Sequence, residues 1–213
     1  MKKMDLTLYL VTDSSNLTDE DFLRIIEQAC EGGVTLVQLR EKDKSSLDFF
    51  NLAKKVKQIT DRFEIPLIIN DRVDLVMAID AAGVHVGQSD LPVHVVRKLL
   101  GENKIIGAST KTVEQAKKAK EEGADYLGVG AIYPTTTKVV TVITEVSMLN
   151  EIGVQTNLPI VAIGGLNAGN MQVLYDSMAD GIAVVTAIMK SDNPRDTARA
   201  LKTQVLENFK KKR

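Results

Sequence analysis

Two cations and two carboxylates stand out in the sequence, each beside a short apolar run. Arg40 and Lys42 follow Gln38, and in an extended chain Gln38 and Arg40 share a side with Leu39 opposite. Asp71 follows Asn70, Asp90 closes Gly87-Gln88-Ser89-Asp90, and Ser109 follows Ile106-Gly107-Ala108. Further on come Pro134-Thr135-Thr136-Thr137-Lys138, Gly164-Gly165 and Val185-Thr186. Two carboxylates are what magnesium takes from a protein, with water and substrate phosphate completing its shell. Cations beside such a metal suit a polyanion such as diphosphate. Each residue also has a plainer use. Asp71 could cap a helix over 72–79, and Asp90 could cap one after Leu91-Pro92. Arg40 and Lys42 could pair with Glu41 and Asp43, Ser109 could stand in a turn, and Lys138 could be a solvated loop charge. His85 reads as a satisfied core histidine and His94 as a surface residue.

What would bring these groups together is the alternation that runs through the chain. Apolar, β-branched runs at 6–12, 35–39, 66–70, 83–87, 104–108, 126–129, 159–163 and 181–185 alternate with segments of helical period. Thr18 with Asp21 predicts a helix start before Phe22, Ile25, Ile26 and Ala29, and Gly32-Gly33 predicts its stop. Thr112 with Gln115, and Asn193 with Pro194, predict two more starts. Eight strand–helix units of about 27 residues each leave room only for short loops. Near-continuous apolar strands predict a parallel sheet covered by helices. The count of eight favours an α/β single (β/α)8 TIM barrel, parallel and eight-stranded, as one domain over 1–213. An open doubly wound sheet is the alternative, and no Gly-x-Gly-x-x-Gly follows the first strand to support it. In such a barrel the active site lies at the carboxyl ends of the strands, where the residues above would meet. Gly165, with the start of a following helix, would offer bare backbone N–H groups to a phosphate. The mouth therefore reads as built for one diphosphate and one monophosphate.

Composition narrows the class. The chain has 213 residues, 44% apolar and 26% charged, with a formal net charge of −1. No whole-molecule basic field is present to gather nucleic acid. The one cysteine, Cys30, excludes an internal disulfide and reads as a buried thiol. Lys210, Lys211, Lys212 and Arg213 read as a solvated helix end. No apolar run is long enough for a signal peptide or a membrane span, so a cytoplasmic protein without membrane partners is expected. An oligomer is compatible with the sequence.

The blocks Val37-Gln38-Leu39-Arg40-Glu41-Lys42, Ile69-Asn70-Asp71-Arg72-Val73-Asp74, Gly83-Val84-His85-Val86-Gly87-Gln88-Ser89-Asp90-Leu91-Pro92, Ile106-Gly107-Ala108-Ser109-Thr110, Gly123-Ala124-Asp125-Tyr126 and Val161-Ala162-Ile163-Gly164-Gly165 resemble those of the thiamine-phosphate synthase family. The resemblance spans nearly the whole chain. It implies coupling of hydroxymethylpyrimidine diphosphate with a thiazole monophosphate, giving thiamine phosphate and diphosphate. It further implies that Gln38, Leu39, Arg40, Glu41, Lys42, Asn70, Ser109 and Lys138 hold the pyrimidine diphosphate. Of these, Arg40, Lys42, Ser109 and Lys138 would be catalytic. Asp71 and Asp90 would bind Mg2+, and Thr135, Thr136, Thr137, Gly165, Val185 and Thr186 would hold the thiazole phosphate. Two departures stand out. Val139-Val140-Thr141-Val142-Ile143-Thr144 replaces the family's polar, acidic stretch and predicts a hairpin or lid, and Thr186 stands where the family has serine. Two other functions compete: a thiazole tautomerase-like paralogue and a non-catalytic thiamine-phosphate binder.

Overall fold

The computed structural model describes residues 4–135 and 142–209. Eight strands alternate with helices: β1 (Leu8–Val11), α1 (Asp19–Gly32), β2 (Leu36–Leu39), α2 (Ser46–Arg62), β3 (Leu67–Asn70), α3 (Val73–Ile79), β4 (Gly83–Val86), α4 (Val93–Leu100), β5 (Ile105–Thr110), α5 (Val113–Glu121), β6 (Tyr126–Gly130), α6 (Val146–Thr156), β7 (Ile160–Ile163), β8 (Gly181–Val184), α7 (Thr186–Met189) and α8 (Pro194–Asn208). A 3₁₀ turn, Met171–Leu174, lies between β7 and β8. Every strand pairs in parallel with the next, and β1 pairs with β8 through Leu8 and Ile182, so the sheet closes into a barrel. The expected (β/α)8 architecture is present.

Alternation within each strand builds two cores. Leu10, Val37, Leu39, Ile69, Val84, Ile106, Leu127, Ala162 and Val184 point outward against the helices. Tyr9, Val11, Leu36, Ile68, Tyr126, Val161 and Ala183 fill the barrel itself. Burial on both faces explains why the strands read as unbroken apolar runs. The helices begin where the sequence says they should. The side chains of Thr18, Thr112 and Asn193 accept the backbone N–H of Asp21, Gln115 and Asp196. Gly33, at φ 100°, ends α1 by donating its N–H to the Ala29 and Cys30 carbonyls.

Three local expectations are corrected. β5 runs on to Thr110, because Ser109 and Thr110 pair with Gly128 and Val129; Ser109 is therefore a strand residue rather than a turn residue. Asp71 and Asp90 cap no helix, since the N-cap positions of α3 and α4 are Arg72 and Pro92, and neither helix has a side-chain cap. No helix opens directly after Gly165; the next helical element is the 3₁₀ turn. The hairpin or lid expected over 139–144 falls partly on 139–141, which lie outside the described residues; of the rest, Val142 and Ile143 are exposed, and the Thr144 N–H donates to the Ala131 carbonyl. Lys210 to Arg213 also lie outside the described residues. Among the described residues, no helix is long and apolar enough to cross a membrane.

Candidate active site

A cavity of about 570 Å³ opens at the carboxyl ends of the strands, and all eight strands or the loops after them contribute to it. Gln38, Arg40 and Lys42 enter it from β2 and its loop. The Arg40 N–H donates to Thr12 Oγ1 at 3.1 Å, which ties the end of β2 to the end of β1. Asn70 and Asp71 enter from β3, Gly87 to Asp90 from β4, Ser109 from β5, Thr135 from β6, Gly165 from β7 and Val185 with Thr186 from β8.

Asp71 and Asp90 face each other across this mouth. Asp71 sits at φ 60°, a left-handed conformation that a non-glycine residue adopts at a cost. Its N–H donates to the His85 carbonyl at 2.9 Å, and its Oδ2 takes a hydrogen bond from Lys42 Nζ. Asp90 Oδ2 accepts the Gly87 N–H at 2.7 Å, closing the loop after β4. Burial, more than anything else, raises the Asp90 carboxyl above its ordinary range; hydrogen-bonding contact with Asp71 raises it further, against the lowering pull of the Gly87 N–H and Lys42. Two acids in contact are relieved by a shared proton or a shared cation. Their hard oxygen donors fit magnesium, and no cluster of three or more metal-ligating side chains forms among the described residues. Water and substrate phosphate would complete the shell.

Gly164 and Gly165 carry the next part of the mouth. They lie at φ 105° and 64°. A Cβ at Gly164 would sit 2.4 Å from the Ala131 Cβ, and one at Gly165 would sit 2.7 Å from the Pro134 carbonyl oxygen. Bare backbone is thus forced at both positions, where β7 passes the loop after β6. Asn170 holds the turn by donating Nδ2 to the Gly165 carbonyl at 2.9 Å.

Not every expected residue reaches the cavity. Leu39 is buried against the helices, on the opposite side of β2 from Gln38 and Arg40. Glu41 turns from the cavity toward Ser14, whose hydroxyl donates to Oε2 at 2.7 Å, and burial raises its carboxyl. Alternation within β2 explains Leu39; Glu41 lies in the loop after β2, where the bond from Ser14 holds it. Thr136, Thr137 and Lys138 lie outside the described residues. His85 is buried and hydrogen-bonded at both ring nitrogens, as expected for a core histidine, and it also lines the cavity floor. His94 is exposed on α4, 3.3 Å from Glu122.

The cavity also includes two residues that the sequence did not single out: Lys111 adds a cation and Tyr9 lines the floor. Gln88, beside Asp90 in the loop after β4, donates Nε2 to the Ser109 carbonyl at 2.7 Å. The signal for Tyr9 was its parity with Val11 in an apolar strand, the inward-facing set.

A family model described as thiamine monophosphate synthase matches residues 8–188. The chain belongs to that family. Membership makes it an enzyme, a transferase of thiamine biosynthesis. Among curated thiamine-phosphate synthases it is 50% identical to that of Clostridium tetani, over 94% of this chain and 96% of the relative. It is also 50% identical to that of Methanobrevibacter smithii, over 100% of this chain and 99% of the relative. The solved thiamine phosphate pyrophosphorylase from Pyrococcus furiosus superposes with a TM-score of 0.89 at 33% identity, covering 97% of this chain and 98% of that one. A 3-hexulose-6-phosphate synthase, at 15% identity and a TM-score of 0.74, shares the fold.

Proposed function

We propose that this chain couples 4-amino-2-methyl-5-hydroxymethylpyrimidine diphosphate with 4-methyl-5-(2-phosphoethyl)thiazole, releasing diphosphate and thiamine phosphate. The observation that carries the proposal is the meeting of Asp71 and Asp90 at the mouth that also receives Arg40 and Lys42. Asp71 and Asp90 would hold Mg2+, which supplies charge stabilisation to the departing diphosphate. Arg40, Lys42 and, from its sequence position, Lys138 add positive charge to the same leaving group. The bond between the pyrimidine methylene carbon and the diphosphate oxygen breaks, and its electron pair leaves with the oxygen. The thiazole nitrogen then donates its lone pair to that carbon, which makes the thiazolium. No proton is transferred, so no general base is required. Thr135, Gly165, Val185 and Thr186, with Thr136 and Thr137, would hold the thiazole phosphate so that the nitrogen faces the carbon. Water-soluble phosphorylated substrates agree with a cytoplasmic enzyme.

Incubating the purified chain with both substrates and magnesium tests this reading. The expected result is diphosphate and thiamine phosphate in equal amounts, abolished by a chelator. Thiamine-phosphate binding without diphosphate release would make the chain a binder, and thiazole isomerisation alone would make it a tautomerase-like paralogue. Wild-type rates after chelation would remove the metal from Asp71 and Asp90.

A further inference from the structure

Beneath the mouth, five polar side chains from five strands are hydrogen-bonded end to end. Gln38 Nε2 donates to the Tyr9 hydroxyl at 2.8 Å, and the Tyr9 and Tyr126 hydroxyls are 2.8 Å apart. The Tyr126 hydroxyl is 2.9 Å from His85 Nδ1, and His85 Nε2 is 2.8 Å from Ser109 Oγ. Both phenols are almost wholly buried, and Gln38 and His85 are buried too. Two glycines make the room. A Cβ at Gly107 would sit 2.1 Å from Tyr126 Cζ, and one at Gly128 would sit 3.0 Å from His85 Cε1.

Proton counting gives this chain a direction. The Gln38 amide NH2 only donates, so the Tyr9 oxygen accepts and its single proton goes to Tyr126. Tyr126 has one proton as well, and it passes to His85 Nδ1. An Nδ1 that accepts carries no proton, so in a neutral ring the proton sits on Nε2 and is donated to Ser109 Oγ. The Ser109 oxygen then receives, and its own proton is left to point into the cavity that Ser109 lines. Burial raises both phenols well above their ordinary value, which keeps the two relay protons in place.

We propose that His85 is a positioning residue: the relay from Gln38 through Tyr9 and Tyr126 holds its ring as the Nε2–H tautomer, and this makes Ser109 a hydrogen-bond donor to an acceptor atom of the bound pyrimidine diphosphate. The functional half rests on the coupling reaction proposed above. The tautomer does not, and it is measurable on the chain without substrate.

The chain has two histidines, so a His94→Gln variant leaves His85 as the single imidazole for nitrogen NMR. The expected spectrum has a proton on Nε2 and none on Nδ1; a proton on Nδ1 would overturn the proposal. Two substitutions then separate donor from packing. His85→Gln places an amide near the Nε2 position and keeps a donor to Ser109. His85→Asn reaches only the Nδ1 position. His85→Gln is expected to keep kcat/KM within about tenfold, and His85→Asn to lower it about a hundredfold, the scale of one lost oriented donor. In a Ser109→Ala background, changing His85 to Asn should cost no more than about threefold, because the group it orients is gone. A full hundredfold loss in that background, or equal losses for Asn and Gln, would leave His85 a packing residue and sink the proposal. If the wild-type chain releases no diphosphate from the substrate pair, the coupling reaction fails, and the tautomer assignment is still decided by the spectrum.

Discussion

The two ends of the barrel use the same residue types to opposite ends. At the amino end, Asp125 precedes β6 and Asp180 precedes β8. Asp125 Oδ2 accepts the Ile106 N–H and Arg97 Nη2, each at 2.7 Å, and Asp180 Oδ2 accepts the Ile160 N–H at 2.7 Å. Arg97 also donates to the Gly101, Lys104 and Gly123 carbonyls. These acids are answered by the protein itself. At the carboxyl end, Asp71 and Asp90 face each other, with Lys42 on Asp71 and the Gly87 N–H on Asp90. The first arrangement lowers the energy of the fold. The second leaves negative charge that a bound cation would relieve, which is how a site differs from a staple built of similar groups.

The sharpest test of that contrast is Asp90→Asn. The amide oxygen can still accept the Gly87 N–H, so the loop should close while the like charge is removed. Diphosphate release is expected to fall at least about a hundredfold, with denaturant stability unchanged or raised by a few tenths of a kcal/mol. A destabilised variant with normal turnover would erase the distinction between the two ends. Lys138→Ala should slow turnover about a hundredfold and leave stability within about 0.5 kcal/mol; an unchanged rate would remove Lys138 from the reaction. Asp125→Ala should do the reverse. It orphans the Ile106 N–H and takes the carboxylate partner from the Arg97 guanidinium, and should cost about 2–3 kcal/mol in urea unfolding, with kcat/KM near wild type in the remaining folded protein.

A smaller effect tests the metal directly. Millimolar magnesium without substrate should raise the unfolding midpoint of the wild-type chain by mass action and leave that of Asp71→Asn unmoved. Equal shifts in both would place the ion elsewhere. The smallest effect concerns Cys30, whose thiol is pushed up to about 12, chiefly by burial. A thiol reagent at pH 8 should leave the folded chain unlabelled and label it after denaturation. Rapid labelling of the folded chain would show that the layer between α1 and the barrel is open.

Much of the lining of the cavity was legible residue by residue. Arg40, Lys42, Asn70, Asp71, Asp90, Ser109 and Thr186 were visible because each follows or ends an apolar run, and a barrel gathers strand ends at one face. Leu39 and Glu41 were placed with them because a contiguous block does not say which side each residue takes; the pleat of β2 turned Leu39 away, and the hydrogen bond with Ser14 drew Glu41 aside. The helix expected after Gly165 failed for a related reason. Gly-Gly marks a backbone that L-residues avoid, and it is silent on whether a helix or a turn comes next.

The order and number of strands, the helix starts at Thr18, Thr112 and Asn193, and the family were set by local pattern, because apolar period and capping chemistry act over a few residues. Contacts across the barrel were decided by closure alone. Tyr9 and Tyr126 lie 117 positions apart in the chain. Only the joining of β1 to β8 brings the inward side of every strand to one axis, where hydrogen-bonding direction, and with it the role of Ser109, becomes a property of five strands at once.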